Sequence, residues 1–251
     1  MAAPTDAESV AMYKAPDEVA AQINNYIHTH PLAVSLRSDP AWKESRPHLR
    51  YPENYKKHSL TAGTLLGPGR IPVPPLVFSD GKSLLSMSYL GTDLCGHVGI
   101  VHGGMLATML DEGLARCAFE SLPNKIGVTA TLTVKYKKPV PAGSFLVLRS
   151  ETTKVEGRKV WVTGSIEILG EDEKLSGPLV EAEGLFIEPK YAKVGLDEVP
   201  SKFGHVADYY RLYHGCSLMS RSQRVLHDID QRPVFCSILG LIRYRRKSHR
   251  R

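Results

Sequence analysis

The sequence lacks any run of about 18 consecutive apolar residues, so it offers no candidate for a membrane-spanning helix. Cysteine is sparse. Cys95, Cys117, Cys216 and Cys236 show neither metal-ligand spacing nor the density of a disulfide framework, and reduced thiols in an intracellular protein are expected. No P-loop and no GxGxxG precedes a helix-like stretch, which excludes the standard phosphate cradles. Arginine is absent before Arg37, whereas Asp6, Glu8, Asp17 and Glu18 are present. That is neither a secretory signal nor a good transit peptide, and a cytoplasmic protein is expected, with the mitochondrion as the alternative. An excess of basic charge is also missing from most of the chain. Residues 205–251 hold 10 Lys and Arg against 3 Asp and Glu, and the other residues hold 22 basic against 23 acidic. The formal net charge of +6 therefore belongs to the tail, and no nucleic-acid partner is expected.

At 42% hydrophobic and 23% charged, the composition is that of an ordinary globular protein. Residues 16–28 read as a helix, with Pro16 in the first turn and Val19, Ile23, Tyr26 and Ile27 on one face. Residues 31–82 are rich in proline and turn residues and are expected to wrap a core rather than form one. Residues 83–90 read as the first strand, 91–101 as a loop with three glycines, and Gly103 to about Leu122 as the main helix. Strand patterns follow at 127–140, 145–154, 159–169 and 179–187, joined by hairpin-length turns, which implies an antiparallel sheet. In the first of these, strict alternation sets Val128, Ala130, Leu132, Val134 and Tyr136 against Thr129, Thr131, Thr133, Lys135 and Lys137. The expected fold is α+β, an antiparallel curved sheet of about five strands wrapped around one long central helix. Three sections follow: an N-terminal extension at 1–82 with one helix and a Pro-rich wrapping segment, a core domain at 83–189, and a basic C-terminal extension at 190–251.

The most informative stretch is His102-Gly103-Gly104-Met105-Leu106-Ala107-Thr108-Met109-Leu110-Asp111. Two glycines at a helix start let a ligand approach the backbone and leave N–H groups without intrahelical acceptors. The same end carries the positive pole of the helix dipole, which suits a developing oxyanion. Asp111 lies among Met109, Leu110 and Leu114, where a carboxylate is expensive without a partner or a task. Donors beside a half-buried acid are the minimal equipment for attack on a carbonyl. His102, at the same turn, is a further catalytic candidate as a proton carrier; the bland reading is a structural acid held by hydrogen bonds, with His102 as a simple helix cap or turn residue.

His102-Gly103-Gly104 followed by Asp111 resembles the signature of hotdog-fold acyl-CoA thioesterases, and more closely that of the thioesterase superfamily-member type related to the phenylacetate-pathway (PaaI-like) thioesterases. The likeness continues through Thr129-Ala130-Thr131-Leu132, Tyr136-Lys137-Lys138-Pro139-Val140-Pro141 and Val155-Glu156-Gly157-Arg158-Lys159, and covers roughly residues 83–189. It implies a homodimer or homotetramer that binds acyl-CoA between subunits. It also implies Asp111 as the catalytic acid, Gly103 and Gly104 as the amide donors and Thr129 as a supporting hydroxyl. Where some bacterial relatives place an Asn before the HGG turn, this sequence offers His97.

Distance along the helix supports a shared site. Gly103 and Asp111 are eight residues apart, about 12 Å along an α-helix axis, too far for one helix to serve one carbonyl from both ends. Two antiparallel helices across a two-fold axis bring the donor of one subunit to the acid of the other. The expected reaction is hydrolysis of an acyl-CoA thioester to free acid and CoA, with Asp111 as general base or as nucleophile. Lys137, Lys138, Arg158 and Lys159 lie near turns, where they either anchor the CoA phosphates or merely serve solubility. No metal is expected, since His97, His102 and Asp111 fit no common ligand spacing, and no cofactor is expected beyond the CoA moiety of the substrate. Cys117 reads as core. The rival functions are a hotdog acyl-thioester dehydratase or hydratase, and a non-catalytic acyl-CoA-binding protein on the same fold.

Overall fold

The computed structural model describes residues 4–170 and 175–193. The C-terminal extension beyond residue 193 lies outside the described residues. The chain order is α1 (Asp6–Ala11), α2 (Glu18–Thr29), α3 (Pro31–Ser38), β1 (Lys43–Ser45), α4 (Glu53–Lys56), β2 (Leu76–Ser79), β3 (Ser83–Leu90), β4 (Cys95–His97), β5 (Ile100–Val101), α5 (Gly103–Ser121), β6 (Val128–Tyr136), β7 (Ser144–Glu156), β8 (Lys159–Ile168) and β9 (Val180–Ile187). Seven strands form one antiparallel sheet in the order β1-β2-β3-β7-β8-β9-β6, and β4 pairs with β5 in a small separate hairpin. No helix among the described residues is long and apolar enough to cross a membrane.

The α+β class, the antiparallel sheet and the long central helix are as the sequence implies. Helix α5 buries Met105, Leu106, Leu110, Gly113, Leu114, Cys117 and Ala118 and ends at Leu122, before Pro123. It packs on β3, β6, β7, β8 and β9. Those five strands span about 19 Å at ~4.8 Å per step, nearly twice the helix diameter, so the sheet has to curl to touch the helix from both edges. Glycines let the two surfaces close. A Cβ at Gly164 would lie 2.6 Å from the Arg149 carbonyl oxygen and 2.7 Å from Leu114 Cδ1, so Leu114 sits directly over the backbone of β8.

The strand count and the N-terminal section are corrected. Among the described residues the sheet has seven strands, not about five, because β1 and β2 come from the section expected only to wrap, and residues 83–90 form the third strand. A section boundary at residue 83 would cut the β2–β3 hairpin. In place of one helix, residues 1–82 hold α1, α2, α3 and the single turn α4. This section also builds a second core. Ala20, Ile23, Ile27 and Ala33 from α2 and α3 pack with Leu76 and Phe78 of β2, Leu85 and Met87 of β3, and Val147 of β7. These strands therefore bury both faces: Leu84 and Leu90 turn to α5, while Leu85 and Met87 turn to α2 and α3. Arg46 is fully buried where these pieces meet. It donates to Pro74 O and, at 2.6 Å, to Asn24 Oδ1, and its guanidinium lies 4.7 Å from the Tyr13 ring centroid. Burial lowers its pKa to about 10, which still leaves it charged at neutral pH.

Candidate active site

The turn that opens α5 is pinned from three sides. Val101 N–H donates to Val140 O and Ala142 N–H to Gly99 O, both at 2.9 Å, so the Pro139-Val140-Pro141 segment after β6 braces the strand leading into His102. His102 is the N-cap, and its Nδ1 accepts the Gly104 N–H at 2.9 Å. Tyr136 Oη donates to Gly103 O at 2.8 Å. A Cβ at Gly103 would stand 3.4 Å from the Tyr136 ring, in ordinary van der Waals contact.

The two glycine amides are not equivalent. The Gly104 amide is already satisfied by the His102 ring, which leaves Gly103, first in the helix, with an N–H that no acceptor among the described residues takes. The imidazole occupies the capping role that Ser, Thr or Asp more often fills.

Asp111 is half-buried on α5, and its Oδ1 accepts from Thr129 Oγ1 at 2.8 Å. Burial pushes its carboxyl up from the ordinary 3.8, the Thr129 hydrogen bond pulls it back in part, and the neighbouring Glu112 charge adds to the rise. Strict alternation would have turned Thr129 away from the helix. A β-bulge at Ala130 reverses the phase. Thr129 lies opposite buried Phe186, while Thr131 lies opposite Leu185 and Leu132 opposite Gly184. Thr129 therefore shares a face with Leu132, Val134 and Tyr136, the face that looks at α5.

The structure does not bring the four basic candidates together in one protomer. Lys137 and Lys138 follow one end of β6, and Lys137 is ion-paired to Glu181 at 2.6 Å. Arg158 and Lys159 lie toward the other end, where Lys159 and Val128 both pair with Ile187, and Arg158 donates to Glu188 O at 2.7 Å. The nine residues of β6 put about 26 Å between the two pairs. His97 sits exposed on the β4–β5 hairpin. Cys117 is buried in the core, and burial pushes its thiol up.

The sequence reading missed a second acid. Glu112, next to Asp111, accepts from Thr61 Oγ1 at 2.6 Å and lies 3.2 Å from His48 Nε2 and 3.7 Å from Arg116. Burial alone would raise its carboxyl, but the His48 hydrogen bond, the Arg116 charge and the Thr61 hydroxyl outweigh it and bring the pKa to about 2. The available signal was two adjacent acids inside an apolar helix; neither His48 nor Thr61 carries one in the sequence.

The family model described as "Thioesterase superfamily" matches residues 98–174, which span the HGG turn, α5 and the strands through β8. A UPF0644 protein of Schizosaccharomyces pombe is 38% identical over 175 residues, 68% of this chain and 67% of that protein. An uncharacterized mitochondrial protein of Candida albicans is 36% identical over 63% of this chain and 72% of its own length. The mouse acyl-coenzyme A thioesterase THEM4 is 38% identical over 107 residues, 43% of this chain and 44% of that protein. With an HGG-opened helix inside a curled antiparallel sheet, and a family match that runs from the turn through β8, residues 98–174 belong to the thioesterase superfamily, on a hotdog fold.

Proposed function

We propose that the protein is an acyl-CoA thioesterase whose active site is completed by a second copy of the chain. The observation that carries this reading is the Thr129–Asp111 hydrogen bond on a half-buried carboxyl, set one helix face away from the core. The activity named for the mouse relative is consistent with it.

The dimer part of the reading rests on what the protomer leaves uncovered. Gly104, Ala107, Thr108, Asp111 and Ala115 form a stripe of small and acidic side chains along α5, none of it buried. Beside it, β6 is the end strand of the sheet, nine residues long, with Val128 45% and Tyr136 54% exposed. A long open edge of this kind invites pairing with another chain. Antiparallel pairing about a two-fold axis carries the Gly103 amide of one subunit toward Asp111 of the other. It also brings the Lys137–Lys138 end of one β6 to the Arg158–Lys159 end of its mate, which would reunite the basic residues as a phosphate anchor.

In this arrangement the Gly103 N–H polarises the thioester carbonyl. Asp111 takes a proton from water while the water oxygen bonds to the carbonyl carbon. The tetrahedral intermediate then collapses, the C–S bond breaks, and CoA leaves as a thiolate that gains the proton. Thr129 holds the carboxylate in position. The name of the Candida albicans relative favours the mitochondrion as the site of action over the cytoplasm, and imaging of the tagged full chain against a mitochondrial marker tests that.

The decisive assay is free-thiol release over an acyl-CoA chain-length series, run beside Asp111→Asn. Release in the wild type and loss in the variant is the expected result. Equal release in both would remove Asp111 from the mechanism, and release from no thioester would favour a non-catalytic binding protein.

A further inference from the structure

We propose that the acyl group hydrolysed here carries a hydroxyl at or near its far end, received by a small cavity against α5. This rests on the thioesterase reading and adds the substrate class to it.

The cavity, about 50 Å³, lies between α5, β3 and the N-terminal section, and its lining includes His48, Ser88, Met105, Met109, Glu112 and Leu148. Its walls are mostly apolar, yet two buried polar atoms in them have no partner among the described residues: His48 Nδ1 and Ser88 Oγ. The two residues are 5% and 1% exposed. Each such atom costs the folded protein the desolvation of a polar group with no bond in return, so two on one small cavity call for a ligand that supplies the bonds.

The chemistry of the two atoms narrows that ligand. Glu112 stays ionised and can only accept, so His48 Nε2 is the donor of their 3.2 Å contact. In the neutral ring Nδ1 is then an acceptor, and in the protonated ring a donor. Ser88 Oγ can act in either sense. A hydroxyl both donates and accepts, so it completes the set whichever form the ring takes. A methyl terminus leaves both atoms unpaired, and a carboxylate would face the Glu112 charge.

Position and size fix where that hydroxyl sits. Asp111 and Glu112 are adjacent on α5 and therefore point about 100° apart around its axis. Glu112, and the cavity it lines, therefore lie on the flank of the helix next to the one that carries Asp111. Its volume holds about three water-sized groups, enough for the hydroxylated end of a chain but not for a whole acyl group.

The test compares kcat/KM for ω-hydroxyacyl-CoAs of six to twelve carbons with the unsubstituted acyl-CoA of equal length, in the wild type, in Ser88→Ala and in His48→Gln. Ser88→Ala removes a hydroxyl that makes no hydrogen bond among the described residues, so folding should be kept. At one chain length or more, the hydroxylated thioester should be preferred about tenfold, and the ratio should fall several-fold in Ser88→Ala. No preference at any length, or a preference that survives both substitutions, overturns the proposal and leaves the cavity to bound water. Thiol release from both substrate types without preference sinks the hydroxyl alone. Release from neither sinks the thioesterase reading and this inference with it.

Discussion

Thr129 reaches Asp111 across eighteen residues of sequence because Ala130 is extruded from the β6–β9 ladder. Without that extra residue the threonine would face away from α5, and the half-buried carboxyl would have no hydroxyl beside it.

Asp111→Asn should abolish thiol release, by about a thousandfold or more if the carboxylate is the base. The same substitution should stabilise the fold. Asp111 has a folded-state pKa above its unfolded value, so its ionised form costs stability at neutral pH, and that cost vanishes as pH falls below the ordinary 3.8. Thermal unfolding at pH 7 should therefore give a higher Tm for Asp111→Asn, with the gap closing in acid. An inactive variant with a lower Tm at pH 7 would mean that Asp111 is structural.

The pH profile follows from the same carboxyl. Activity requires its ionised form, so kcat/KM should rise with pH through a value above the ordinary 3.8. The Thr129 hydroxyl favours the charged form, so Thr129→Val should move that limb to higher pH and lower kcat about tenfold. A limb that stays put in Thr129→Val would detach the threonine from the titrating group.

Glu112 has the opposite sign. Its folded pKa of about 2 lies below the ordinary 4.5, so the stability it contributes is present above 4.5 and lost as pH falls toward 2. Urea midpoints between pH 2 and 7 should fall steeply in the wild type and more gently in Glu112→Gln, which should also be the less stable of the two at pH 7. Parallel curves would mean that the His48, Thr61 and Arg116 contacts contribute nothing.

A shared site can be read out by complementation. Gly103→Pro removes the amide donor at the first helical position, where proline fits, and Asp111→Asn removes the acid. Each variant alone should be inactive. Mixed and allowed to exchange subunits, they should recover about a quarter of wild-type activity, since half the dimers are mixed and each of those rebuilds one site of two. No recovery despite demonstrated exchange would place donor and acid in one protomer.

Gly164→Ala should destabilise by about 1–3 kcal/mol, measured by denaturant unfolding, because the new methyl meets the Arg149 carbonyl, a backbone atom that cannot step aside. An unchanged midpoint would show that β8 has room to move off β7.

Local order was legible in the sequence because it rests on local physics. The apolar circumference of α5, the proline after its end and the alternation of the later strands are short-range patterns, and the HGG-to-Asp spacing sits on one helix. What depends on distant segments was not. That β1 and β2 extend the sheet, that α2 and α3 bury its outer face, that the bulge turns Thr129 inward, and that His48 and Thr61 clasp Glu112 are all contacts between residues far apart in the chain. Single-strand periodicity assumes an unbroken ladder, and one extruded residue inverts every face beyond it. The sequence by itself determined the helix, the acid it carries and the glycine turn that opens it. Only the tertiary structure decided how the bulge turns Thr129 to the acid and which distant groups clasp Glu112, because hydrogen-bond partners far apart in the chain are chosen by proximity in space.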